Sequence, residues 1–129
     1  MSTKLENLPI TGYHFIDGDR LRFAWYIIEF KQSYSSGDMK SANEVLEEII
    51  NYLVNDFKIE EKVMKKYQYP GLGDHLRDHA NFFVSLRAAQ ALGAREAVEF
   101  IERWFIIHTM KFDIDLGRFM KEEVGQFKS

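Results

Sequence analysis

The stretch DFKIEEKVMKKYQYPGLGDHLRDHANFF, residues 56–83, decides the fold. Before its break at Pro70 and Gly71, Asp56, Glu60 and Met64 recur every fourth residue. After it, His75, His79 and Phe82 recur at four and then three residues. Both spacings trace one face of an α-helix. Pro70 has no amide hydrogen and cannot continue the first helix. The stretch therefore predicts two helices joined by a turn so short that they must run antiparallel.

The same three-and-four spacing extends in both directions. Gly37 and Gly93 fall just after long periodic segments, where helices stop. Four helices are predicted, at residues 17–35, 39–67, 71–92 and 94–123, giving an all-α, up-down-up-down antiparallel four-helix bundle. Asp17 is expected to cap the first helix and Ser41 or Asp38 the second. Residues 1–16 lack periodicity and contain Pro9 and Gly12, which predicts an extended N-terminal arm lying across the bundle.

A chain of 129 residues with 46% hydrophobic content suits one domain, residues 1–129, around one continuous core. The formal charge of −3, with Lys and Arg scattered among Asp and Glu, gives no basic field and argues against nucleic acid as a partner. The opening MSTKLENLPITGYHF lacks the pattern of a secretory signal. The apolar runs are too short to span a membrane. With no cysteine there are no disulfides and no thiolate ligands, which fits a reducing, cytoplasmic setting.

The informative residues are polar ones on apolar stripes. The first helix's stripe runs Ile16, Arg20, Phe23, Ile27, and the second's Leu46, Ile49, Leu53, Asp56, Glu60, Met64. The third's runs His75, His79, Phe82, Leu86; the fourth's runs Val98, Ile101, Phe105, His108, Phe112, with Asp113 at its edge. A buried, unpartnered charge costs several kcal/mol, on the order of a domain's net stability, so these side chains need one another or a cation. Imidazoles with carboxylates and no thiolate suit iron, zinc or manganese. Each residue also has a plainer reading. A lone inward histidine is more often a core residue bonded to a carbonyl, and Asp56 with Glu60 would suit a solvated helix flank. The metal reading gains from coincidence: of four histidines, only His14 falls off a predicted stripe.

At this point a family resemblance enters. Residues 56–83 resemble the second and third helices of hemerythrins, where HFxxEExM precedes a tyrosine-proline turn and HxxxH. WFIIHTMKFDIDL, residues 104–116, is similar to their fourth helix with its HxxxxD pattern. ITGYHFIDGDRLRF, residues 10–23, resembles the arm and first-helix start, where IDxQH supplies a histidine. The resemblance implies iron held by His75, His79 and His108, with Glu60 and Asp113 as bridging carboxylates. At the two positions where the family's second iron takes its histidines, this chain has Arg20 and Asp56.

That substitution predicts a depleted site: one iron, with an Arg20 to Asp56 salt bridge standing where the second iron would be, because a guanidinium fork suits carboxylates and keeps its charge. Reversible dioxygen binding in the family draws on two ferrous ions, so the prediction is a non-haem iron-binding protein, not an enzyme, with oxygen binding altered or lost. Nitric oxide is a further candidate ligand. Two alternatives stay open: a modified di-iron centre that still binds dioxygen, and a metal-free structural or signalling module. On a regular helix, five residues separate His108 from Asp113 by about 140°, so the two would flank a central ion and reach it from either side, and a local π-bulge would ease this further.

Overall fold

Two glycines and a proline set where the chain turns. Gly37, at φ +82°, carries it out of one helix, and Asp38 caps the next by accepting from Ser41 N–H at 3.1 Å and from the Ser41 hydroxyl at 2.8 Å. Gly93, at φ +143°, is the whole connection between two later helices, in backbone space that side chains rarely enter. The computed structural model describes residues 14–124, with side-chain surroundings given for 20–123. The helices are α1 (His14–Ser35), α2 (Met39–Lys66), α3 (Leu72–Leu92) and α4 (Ala94–His108). The chain continues from α4 through a π turn (Thr109–Asp113), α5 (Ile114–Phe119) and a second π turn (Met120–Val124).

Among the described residues every element is helical, as the sequence predicts, and none of the helices is long and apolar enough to cross a membrane. The boundaries differ in detail. The first helix already includes His14, the first described residue, so Asp17 lies inside it and cannot be its cap. No proline or glycine separates residue 14 from 17, and the nearest breakers before residue 14 are Gly12 and Pro9. The remaining part of the predicted arm, residues 1–13, lies outside the described residues. The second helix ends one residue early, at Lys66, and Gln68 turns the chain away at φ +54°. The third starts one residue late, with Gly71 as its N-cap residue. The predicted fourth helix is not uniform, because its carbonyls pair five residues ahead at Thr109, where Ile114 N–H donates to the Thr109 carbonyl.

α1 packs on α2 and α4, and α2 also meets α3, which packs on α4. Most apolar burial lies in one cluster, where Phe23, Phe30, Ile49, Leu53, Phe82 and Ile101 are almost wholly buried. A smaller cluster of Met64, Leu116 and Met120 lies farther along, with Tyr69 and Phe119 packed against it. On α2 the two are separated by Glu60, with Phe57 of the large cluster before it and Met64 of the small one after it. The polar residues described next therefore sit between two apolar plugs, which keep bulk water away and strengthen every charge interaction there.

Candidate metal centre

Each predicted site residue is buried: His75 at 0% exposure, His79 at 1%, His108 at 2%, Glu60 and Asp113 at 3%, Arg20 and Asp56 at 7%. The i, i+4 spacing on α3 sets His75 and His79 on one face, their ring centroids 4.6 Å apart. α4 brings His108 within 4.7 Å of the His75 ring and 5.0 Å of the His79 ring. Glu60, from α2, completes the group. Its Oε1 lies 3.2 Å from His75 Nε2 and 3.2 Å from His79 Nε2. One ligand atom from each of Glu60, His75, His79 and His108 falls within 4.8 Å of the others.

Asp113 joins from the far side of the π turn. Its Oδ1 is 3.1 Å from His108 Nε2 and 3.5 Å from His75 Nε2. The wider turn between Thr109 and Asp113 cancels the angular offset that an α-helix would impose on residues five apart. Arg20 and Asp56 are also internal, and each takes part in interactions of its own. The five residues His75, His79, His108, Glu60 and Asp113 are thus brought together by four separate contacts across three chain segments.

Two carboxylates that the sequence reading passed over orient the imidazoles. Asp78 Oδ2 accepts from His108 Nδ1 at 2.7 Å, and Glu61 Oε2 accepts from His79 Nδ1 at 2.9 Å. In the neutral ring an acceptor on Nδ1 holds the proton there and leaves Nε2 with a lone pair facing the cluster, which is how metal-ligating histidines are commonly prepared. The sequence signal was faint: each carboxylate adjoins a stripe residue, Glu61 beside Glu60 and Asp78 beside His79. Rings hold the other faces. Phe57 stacks on His79 at 3.9 Å and 5°, and Trp104 stacks on His108 at 4.4 Å and 14°.

The arrangement favours positive charge. Burial works against a charged His108, yet Asp113, Asp78 and Glu60 outweigh it and hold the ring's pKa up to about 10. Burial likewise opposes ionisation of Glu60, but the close His75 and His79 rings and the charge of His108 bring that carboxyl down to about 2. The hydrogen bond to His108 also lowers the Asp78 carboxyl, against a smaller effect of burial. His79 Nε2, His108 Nε2 and Asp113 Oδ1 are buried and have no hydrogen-bond partner among the described residues. Three inward donor atoms left without a hydrogen bond fit a cation that would take all of them.

A buried cluster of three imidazoles and two carboxylates in helical surroundings is the kind of site that the hemerythrin resemblance implies. Comparison with known proteins agrees: the chain is 27% identical over 79 residues to a protein described as myohemerythrin from Theromyzon tessulatum. The match covers 61% of this chain and 66% of that protein, just under two thirds of its length. It supports a family relationship with the hemerythrins. No family model and no solved structure matches the chain.

Proposed function

We propose that this chain is a hemerythrin-like metal-binding protein rather than an enzyme, and that it holds one non-haem iron through His75, His79, His108, Glu60 and Asp113. The observation that carries this is the convergence of four buried ligand atoms within 4.8 Å, on imidazoles whose outer nitrogens at His79 and His108 are already fixed by carboxylates. A bound iron would supply a site for electron exchange and for one small ligand. The chain's own part is to orient the imidazoles, exclude bulk water and balance charge.

Charge supports one dication over two. With the imidazoles neutral, as metal ligation requires, the buried carboxylates Asp56, Glu60 and Asp113 and the buried guanidinium of Arg20 sum to two negative charges. One divalent ion offsets them. A second would overcompensate and would be repelled by Arg20 in a poorly screened interior. In this reading Arg20 and Asp56 pair where a second metal would otherwise lie. Dioxygen carriage of the two-iron kind is then altered or lost, and dioxygen or nitric oxide remains a candidate ligand.

The ring and ion pairs also support the up-down-up-down antiparallel arrangement. Glu60 and Glu61 near the end of α2 meet His75 and His79 near the start of α3, whereas Phe57, earlier on α2, meets Phe83, later on α3. Phe23 of α1 stacks on Phe105, and farther along α1 Phe30 and Tyr34 share a groove with Val98 and Arg95, earlier on α4.

Metal analysis of protein produced in iron-rich medium tests the proposal, with one iron per chain expected. Two would sink the mononuclear reading in favour of a modified di-iron centre, and none would favour a metal-free interaction module. The double substitution Arg20→His with Asp56→His is expected to raise the content towards two.

A further inference from the structure

Thr109 directly follows His108 and opens the π turn. It is wholly buried, and its hydroxyl oxygen has no hydrogen-bond partner among the described residues. A threonine in a helix ordinarily bonds its hydroxyl back to a carbonyl three or four residues earlier. Thr109 does not, although the Phe105 carbonyl is close enough to accept its backbone N–H. A buried hydroxyl without a partner is a cost that valine, of nearly the same shape, would avoid. Packing alone gives no reason for threonine here.

Its position supplies one. Thr109 lies four residues after Phe105 and four before Asp113, on a stripe that leads into the cluster through the contacts of Asp113 Oδ1 with His108 and His75. Phe105 stacks on Phe23 of α1 at 4.1 Å, and the antiparallel run of the two helices sets Thr109 at the level of Arg20. Thr109 thus adjoins one imidazole of the cluster in sequence and lies on the turn that carries its second carboxylate. Three imidazoles and two carboxylates would leave a six-coordinate ion one open position.

Resting on the metal reading above, we infer that the Thr109 hydroxyl donates a hydrogen bond to a small anion held at that open position, and so sets which ligands the site accepts. The ligand class is an anion of two or three atoms, with one atom for the cation and another able to accept from Thr109.

Azide is a suitable probe. Iron-loaded wild-type protein, Thr109→Val and Thr109→Ser would be titrated with azide and followed by absorbance, with iron content and thermal midpoint measured on each. The expected result is equal iron in all three, azide bound about tenfold more weakly by T109V, and affinity within about threefold of wild type in T109S. T109V should melt no lower than wild type, because it loses only an unsatisfied hydroxyl. Equal azide affinity in wild type and T109V, at equal iron content, would overturn this inference and leave the metal reading standing. So would a wild-type protein that holds iron but takes no azide, or a clear fall in the T109V midpoint, which would reveal a protein partner for the hydroxyl. Wild-type protein without iron would remove both readings together. Should T109V not fold, Thr109→Ala is judged by the same criteria.

Discussion

Replacing Asp78 by Ala tests whether the carboxylates behind the imidazoles prepare them for a metal. Asp78 Oδ2 is the acceptor for His108 Nδ1 at 2.7 Å, the shorter of the two such contacts. The substitution removes that acceptor while touching little of the core, since the Asp78 side chain is 27% exposed and belongs to neither apolar cluster. Without it the His108 ring loses the partner that fixes its tautomer, and its Nε2 becomes a weaker donor. Loss of such an outer partner typically costs 10–100-fold in metal affinity, or about 1.4–2.8 kcal/mol. Partial exposure places the expectation near the lower end, about tenfold. The assay is competition for ferrous ion against a chelator of known affinity under anaerobic conditions. Asp74→Ala serves as control, because Asp74 lies one turn earlier on the same helix and, among the described residues, pairs with exposed Arg77. If D78A holds metal within about twofold of D74A, His108 is not a ligand prepared by Asp78, and the reasoning fails.

Other expectations follow from packing, backbone and capping. Phe57→Ala removes a 4%-exposed ring that stacks on His79 and is expected to cost about 3–5 kcal/mol in denaturant unfolding; a loss below about 1 kcal/mol would contradict its place in the core. Gly93→Ala forces a side chain into φ +143° and should destabilise by about 1–3 kcal/mol, whereas Gly73→Ala, inside α3 with open space around its Cβ position, should be neutral or stabilising by up to about 1 kcal/mol; similar thermal midpoints for the two variants would refute the distinction. The Asp38 cap should be sensitive to pH. Hydrogen bonds from the Ser41 backbone and hydroxyl lower the folded-state pKa of Asp38 below 3.8, so its stabilisation is present above that value and is lost as pH falls through the lowered one. The thermal advantage of wild type over Asp38→Ala should thus persist at neutral pH and vanish in strong acid, and an advantage unchanged down to about pH 2 would count against the cap.

The sequence by itself determined the helical architecture and most of the cluster. Spacing was sufficient because a helix repeats every three to four residues, so His75 with His79, and Asp56 with Glu60, were placed on shared faces by arithmetic alone. Burial followed from the same stripes. Sequence could not fix what depends on contacts between helices. The pairing of Glu61 with His79 and of Asp78 with His108 joins residues 18 and 30 positions apart, and no local pattern marks either. The helical state of residues 14–16 was missed for the opposite reason: helix propensity carries no sharp boundary where neither proline nor glycine imposes one. The π turn at Thr109 was legible only as a geometric need, since bringing Asp113 onto the His108 face requires an extra residue in the turn. Tertiary structure decided that Thr109 is buried with a hydroxyl unpartnered among the described residues, because a residue beside His108, off the fourth helix's predicted stripe, faces the interior only once the neighbouring helix is in place.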